Sequence, residues 1–460
     1  DGYSQLSAYE RKRLKNITEN AKFFAALQLH KSAARLQQIA VKQQPHVTKR
    51  PKPRKTEDLT GCRRSMRLQR VEPLDMLVLK MPPSLQAPKA PAGPLPMVPE
   101  GQSESSELAG DLLATWTRIN ELTLHLTPSR YRDVLSTMVL GQDDVRKLVK
   151  YRVCSLAIHP SESVVFVAAG DNSGQIGLWN VSSGSAEGAS VFFVPHNESV
   201  SCLLFSPGNP AHLLSLSSES LRCGDVTRAV FDEVLRCEEN LSSFDFLDDG
   251  ASTAVVGFWS GDVAVVDRRT PRTSPELSAD IGFRRTRTVH VHPVHRQYFV
   301  AAGAVDVCVY DVRHLKRRRN DPVSALEGHK KSVASAYFSP VTGNRVVTVC
   351  ADDMLRVGKR RAPWGEFSPS LLPLLPHRHD NSTGRWLTRF RAVWDPKQEN
   401  CFVVGSMEQP RKIEVFQDTG ELLHCFSNTE CLRSVCSIIT VHPTQNILVG
   451  GNSSGRLYVF

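Results

Sequence analysis

Seven times between Cys154 and Phe460 the chain repeats one pattern. An apolar strand ends in a His-, Ser- or Asp-Pro turn, a second apolar strand reaches a small residue, a polar turn follows, and a third strand ends near an aromatic-Asp pair. The copies run from Cys154 to Asn180, Ser201 to Asp225, Ser242 to Asp267, Arg287 to Asp311, Ala334 to Val357, Phe390 to Gln417 and Cys436 to Phe460. Pro160, Pro207, Pro293, Pro340, Pro396 and Pro443 carry the register, at spacings of 47, 86, 47, 56 and 47 residues. The 86 spans two units, because the third copy has Leu247-Asp248-Asp249-Gly250 where proline would stand. A period of roughly 40 to 45 residues with four strands per unit marks a WD-type blade, which buries its faces only by stacking on neighbours. The fold class expected is all-β, a seven-bladed WD-repeat β-propeller over residues 112–460, carrying a helical and disordered basic N-terminal extension.

A propeller ring closes when its last blade is complete, since a missing outer strand leaves an unpaired edge. The last copy ends on its third strand at Tyr458-Val459-Phe460, so an upstream strand is expected to complete it. Val134 to Leu140 (VLSTMVL) is the candidate. The fifth copy departs from the pattern: Val357 is followed by Gly358-Lys359-Arg360-Arg361, and the segment 358–384 has no assigned structure.

The formal net charge of +10 is not spread evenly. Residues 1–100 hold 19 Lys/Arg against 8 Asp/Glu, and the remainder is nearly neutral at 38 against 39. Within this extension, 1–43 reads as an amphipathic basic helical segment, since Tyr9 to Leu36 lacks Pro and Gly and places Leu14, Ile17, Ala21 and Phe24 at helical steps. Its leading Arg11, Lys12, Arg13 and Lys15 oppose the helix dipole, so an acidic surface or nucleic acid would stabilise it. Residues 44–111 form a Pro-rich basic linker whose composition cannot bury enough apolar surface to order itself. Inside it, Arg63, Arg64, Arg67 and Arg70 make a compact basic element suited to a localisation signal or a nucleic-acid arm.

No run approaches the ~18 apolar residues of a bilayer span, and the Asp1-Gly2-Tyr3 start lacks a secretory layout, so membrane and secreted readings are set aside. The eleven cysteines offer no paired CxxC, so they read as reduced thiols rather than a zinc module or disulfide framework. No cofactor, metal set or activated nucleophile is expected. His159, His292 and His442 recur at one position before proline and read as turn residues. Gly450 to Gly455 reads as a blade hairpin and not as a phosphate loop. The chain is not expected to be an enzyme.

Charge inside the repeat region is uneven in turn. Residues 281–361 hold 16 Lys/Arg against 6 Asp/Glu. The runs are Arg284, Arg285 and Arg287, then Lys316 to Arg319, Lys330 and Lys331, and Lys359 to Arg361, each at a strand end or in a loop that rims a propeller face. Lys and Arg on such a rim suit a phosphate backbone through counterion release. Further on, Arg385, Trp386 and Arg389 add an aromatic that either stacks on an unpaired base or packs between blades. A second constellation, Asp267-x-Arg269 and Asp311-x-Arg313, repeats on adjacent blades and would present two planar donors on the face opposite the long loops.

These residues resemble the WD-repeat family of DNA-damage-binding proteins that includes the yeast changed-mutation-rate protein. The likeness rests on Tyr9 to Phe24, on Arg64-Ser65-Met66-Arg67-Leu68-Gln69, on Arg287-Thr288-Val289-His290-Val291-His292-Pro293 and on Gly384-Arg385-Trp386-Leu387-Thr388-Arg389-Phe390. The resemblance implies a nuclear, non-enzymatic propeller that binds damaged or modified DNA. It also implies that Asp267, Arg269, Asp311 and Arg313 dock a cullin-4 ubiquitin ligase adaptor, and that Lys330 and Lys331 contact phosphate. DNA, the ligase adaptor and chromatin proteins are the expected partners. The DNA reading requires Arg385, Arg389, Lys330 and Lys331 on one face. The competing reading, a peptide-binding chromatin scaffold, requires an acidic channel mouth.

Overall fold

The computed structural model describes residues 91–100, 128–183, 190–359, 372–373 and 378–460. The chain divides into two units at Met81, and the first, with the segment 1–43 and Arg63, Arg64, Arg67 and Arg70, lies outside the described residues.

Each repeat copy forms one antiparallel sheet, and seven such sheets are present among the described residues. In blade 1 the order is Val153–Ile158, Phe166–Asp171, Ile176–Asn180 and Ser190–Phe193. Blades 2 to 6 begin at Cys202–Phe205, Leu241–Phe246, Thr286–Val291, Val333–Phe338 and Val393–Trp394, and blade 7 at Cys436–Val441. Ring closure is visible in the core, which consists of seven apolar clusters, each shared by two consecutive blades. Phe166, Ile176, Leu213 and Phe231 join blades 1 and 2, for example, and Val153, Trp179, Val449 and Leu457 join blades 7 and 1.

Antiparallel order defines two faces. Connections that enter each innermost strand, and the turns between second and third strands, lie on one face, here the upper. Turns between first and second strands, and the ends of third strands, lie on the lower. The recurrent histidines cap lower turns as expected: His159 Nδ1 accepts from the Ser161 N–H, His292 Nδ1 from Val294 and His295, and His442 Nδ1 from Thr444 and Gln445. Burial pushes His159 and His442 down to about 4, which keeps the accepting nitrogen unprotonated.

The closing strand is not where the sequence placed it. Val134 to Leu140 lies largely in helix α1 (Pro128–Thr137), which starts with proline at its first position. Tyr131 and Leu135, four residues apart, bury one helix face against blades 6 and 7, and the Tyr131 hydroxyl donates to Asp395 at 2.5 Å. We denote Leu95–Pro96 β1 and Val145–Lys147 β2. It is β2 that completes blade 7, pairing Val145 with Tyr458, Arg146 with Leu457 and Lys147 with Arg456.

A second correction concerns residues 91–100, which composition assigned to the linker. β1 adds a fifth strand to blade 2, Leu95 opposite Phe231 and Pro96 opposite Val230. Proline is tolerated there because the strand is at an edge. Arg222, fully buried, reaches from the third strand of blade 2 to the Gly93 carbonyl at 2.9 Å and the Pro91 carbonyl at 2.6 Å, and also pairs with Glu233. Arg236 adds a bond to the same Pro91 carbonyl at 3.0 Å.

Candidate nucleic-acid interface

Topology places three of the sequence-predicted basic segments on the upper face. Arg284, Arg285 and Arg287 enter blade 4, Lys330 and Lys331 enter blade 5, and Arg385, Trp386 and Arg389 lead into blade 6. They converge at Ser332, whose Oγ accepts from Arg287 Nε at 2.9 Å and from Arg389 Nη1 at 3.4 Å. Side chains from three successive blades thus meet at one serine beside the channel.

The backbone of each segment is held firmly. Before Lys330, His329 Nε2 meets Thr348 Oγ1 at 3.0 Å, and burial lowers this imidazole to about 4. The Lys330 N–H donates to Asp352, and the Cys350 thiol donates to the Lys331 carbonyl. Asp352 is itself clamped by both terminal nitrogens of Arg356, at 2.9 and 2.6 Å. With the backbone fixed, both lysine side chains stand exposed. The Arg284–Arg285 turn passes close over two glycines. A Cβ at Gly261, where φ is +114°, would lie 1.9 Å from the Phe283 carbonyl oxygen, and one at Gly303 would lie 1.8 Å from that of Arg285.

The segment from Arg385 to Arg391 crosses to the far side of the ring. Arg152 Nη1 donates to the Arg385 carbonyl at 2.7 Å, Thr388 Oγ1 donates to the Val153 carbonyl at 2.5 Å, and Arg391 Nη2 reaches the Ser201 carbonyl at 3.0 Å. Arg152 and Val153 open blade 1 and Ser201 opens blade 2, so this single segment ties blade 6 to both across the mouth. Trp386 is 72% exposed, which rules out the inter-blade packing alternative for its ring. Tyr151, next to Arg152, is also exposed at 52%.

Trp259 is a residue the sequence reading missed. It sits in the upper turn of blade 3, with Arg285 Cζ 5.7 Å and Arg287 Cζ 5.1 Å from its ring centre. Guanidinium planes over an indole are oriented by the ring quadrupole. The available signal was an aromatic in Phe258-Trp259-Ser260-Gly261, at a turn slot that blades 4 and 5 fill with Ala304 and Ala351. The basic character does not encircle the face. Exposed Glu198, Glu238 and Glu239 occupy the entries to blades 2 and 3, and Glu239 accepts from the Ser260 hydroxyl right beside Trp259, where the basic arc ends.

Other basic runs lie elsewhere. Lys316 to Arg319 fold outward against the outer strand of blade 3, where the Arg317 carbonyl accepts from Asp280 and Asn320 Nδ2 donates to the Asp280 carbonyl. Lys359 points to the lower face and pairs with Asp418 at 2.9 Å, while Arg360 and Arg361 lie outside the described residues.

The two Asp-x-Arg endings lie on the lower face and share one geometry. In each, the aspartate accepts the arginine backbone N–H at 2.9 Å and holds the guanidinium through Nε and Nη2, the latter at 2.6 Å. The Arg269 contacts draw the Asp267 carboxyl below its ordinary range, and at Asp311 those of Arg313 overcome the opposing effect of burial. Blade 2 makes the same turn with Asp225 and Thr227, whose short side chain ends at the carboxylate. Among the described residues, blades 3 and 4 alone hold an exposed guanidinium at this turn through both Nε and Nη2. Among the described residues no group of three or more metal-ligating side chains occurs.

No family model matches the chain. It is 52% identical over its whole length to WD repeat-containing protein 76 of Rhinolophus ferrumequinum, spanning 74% of that relative, and 53% identical to the Mus musculus protein of the same name, spanning 75%. DNA damage-binding protein CMR1 of Phaeosphaeria nodorum is 23% identical, with 98% of each chain covered.

Proposed function

The chain belongs to the WD repeat-containing protein 76 family, and we propose that it is a non-enzymatic nuclear protein of the DNA damage response that binds damaged or modified DNA across the upper mouth of its propeller. The observation that carries this reading is the meeting of Arg287, Arg389 and the Lys330–Lys331 segment around Ser332. A mouth so lined attracts a phosphate backbone, and fixed loop backbones limit the entropy lost when the side chains engage. Relatives at lower identity bear the name DNA damage-binding protein, which supports the same ligand class. Trp386 would stack on a base that damage has left unpaired, an interaction worth about 1–3 kcal/mol. The peptide-scaffold alternative called for an acidic mouth, and the arginines 389 and 391 that cross it disfavour that reading.

The lower face supports a second role. Two exposed guanidiniums, each held flat by its own aspartate, are preorganised hydrogen-bond donors whose charge is locally balanced, a pattern suited to a protein surface rather than to phosphate. Docking of the cullin-4 ligase adaptor through Asp267, Arg269, Asp311 and Arg313 would leave the upper face open to DNA and chromatin proteins. The protein would then select substrates for ubiquitin transfer without performing it.

Equilibrium titration of the full chain with an intact duplex, an abasic duplex and a mismatched duplex tests the DNA reading. Trp386→Ala is expected to remove the preference for the interrupted duplexes while largely sparing intact DNA. Equal affinity of wild type for all three would overturn the role given to Trp386.

A further inference from the structure

Two exposed aromatic rings flank a single hydrogen bond on the upper face. Tyr151 lies just before the innermost strand of blade 1, and Trp386 lies in the segment that leads into blade 6. The two stretches of chain are joined twice: Arg152 Nη1 reaches the Arg385 carbonyl at 2.7 Å, and Thr388 Oγ1 reaches the Val153 carbonyl at 2.5 Å. Tyr151 is thus next in sequence to one partner of the Arg152–Arg385 bond, and Trp386 is next to the other.

The backbone under Tyr151 is as firmly held as the loops of the mouth. Its N–H donates to Asp171 Oδ2 at 3.1 Å, and the Lys150 N–H before it donates to Gln175 Oε1 at 3.0 Å. Both acceptors are buried, so the clamp belongs to blade 1 itself. Asn172 fixes Arg152, its Oδ1 accepting from Nη2 at 2.8 Å and its N–H donating to the Arg152 carbonyl at 3.1 Å. On this rigid base the Tyr151 ring stays 52% exposed, with Lys150 Nζ 5.9 Å from its centre. We infer that Tyr151 and Trp386 are two successive stacking platforms for one strand of DNA, so that the site takes a run of unpaired bases rather than a single one. This rests on the DNA reading of the upper face. Every base has a π-face, so two neighbouring rings hold consecutive bases with little regard to sequence. Lys150 and Arg385, both exposed, supply the cations that a single-strand groove needs along its backbone. A paired duplex hides those base faces, which makes melted or mispaired stretches the ligand class.

The test titrates the full chain with three duplexes of equal length and charge: fully paired, with one mispaired position, and with three successive mispaired positions. Wild type is expected to bind the third at least about five-fold tighter than the second, the lower bound for stacking one more base. Tyr151→Ala is expected to abolish that step while keeping the preference for one mispair over none, which belongs to Trp386. Tyr151→Phe is expected to keep both, since stacking needs the ring and not the hydroxyl. Equal wild-type affinity for the second and third duplexes overturns the inference. So does a step that survives in Tyr151→Ala or is lost in Tyr151→Phe, and none of these results touches the DNA reading. Unchanged affinity of the Lys330→Glu, Lys331→Glu variant for all three duplexes would instead overturn the DNA reading of the mouth.

Discussion

Arg222 and the segment from Pro91 to Met97 are predicted to stabilise blade 2 as a coupled pair. Arg222→Met removes two bonds to carbonyls of that segment and one to buried Glu233, which keeps Arg236 as a partner. Hydrogen bonds of a charged group contribute about 1.5–3 kcal/mol each, so a loss of about 4.5 kcal/mol or more is expected. Leu95→Asp with Met97→Asp detaches the same segment, since both side chains pack on the cluster between blades 1 and 2. It forfeits roughly 1–2 kcal/mol of apolar burial per residue together with the two Arg222 bonds. Because the carbonyl bonds are lost in either case, the triple variant should be less destabilised than the sum, by about 3 kcal/mol. Urea unfolding followed by tryptophan fluorescence gives the cycle, and hydrogen exchange at Val230 to Arg236 localises it. Additivity to within about 0.5 kcal/mol would refute the argument that this buried arginine exists to hold that segment.

The remaining expectations are independent of one another. His159, His329 and His442 have folded pKa values of about 4, below the ordinary imidazole value, so the unfolded chain binds more protons between about pH 6.5 and 4. Stability is complete above that window and falls as pH drops through it, by on the order of 2–3 kcal/mol per histidine; unchanged urea midpoints at pH 7.5 and 5 would contradict this. Trp259→Leu is expected to weaken duplex binding about three- to ten-fold with an unchanged melting temperature, and Trp259→Phe to restore part of it, because the ring orients Arg285 and Arg287. Equal losses in the leucine and phenylalanine variants would remove that role. Arg269→Glu with Arg313→Glu is expected to abolish capture of the purified cullin-4 adaptor while leaving DNA affinity within two-fold, and retained capture would refute the lower-face docking.

How much of this was legible in the sequence follows from what each element buries. Inner and middle strands such as Phe166–Asp171 and Tyr298–Gly303 pack on both sides, and their apolar runs announce every blade, six of the seven with a proline turn. Outer strands carry weaker signals: Ser324–Ala325 is two residues long, and β2 reads Val-Arg-Lys because much of its surface faces solvent. Hence the apolar VLSTMVL reads as the closing strand, although Tyr131 and Leu135 share the four-residue step of a helix starting at Pro128. β1 is hidden by its surroundings, since Leu95 and Met97 alternate toward the cluster between blades 1 and 2 but stand among Pro91, Pro94, Pro96 and Pro99.

The site was legible in part for a similar reason. Sequence reports the number of charges in a loop, whereas strand direction decides which face they reach. Arg287, Lys330 and Arg389 share the upper face because each lies just before an innermost strand or at its upper end. Lys316 to Arg319 follow a third strand and go to the perimeter, whereas Lys359 ends one and lies on the lower face. Trp259 drew no notice because one aromatic in a turn acquires meaning only beside the arginines of the next blade.

Salt-dependent DNA affinity of paired charge variants tests the central claim most directly. The upper set is Lys330→Glu, Lys331→Glu and Arg389→Glu; the perimeter set is Lys316→Glu, Arg317→Glu and Arg318→Glu. Both change the net charge equally. Binding on the upper mouth predicts that the first set lowers the slope of log affinity against log salt by about 2.7 and weakens binding by well over ten-fold, while the second changes the slope by less than about 1. Equal losses from the two sets would mean that DNA responds only to total charge, and would contradict a binding site at the mouth.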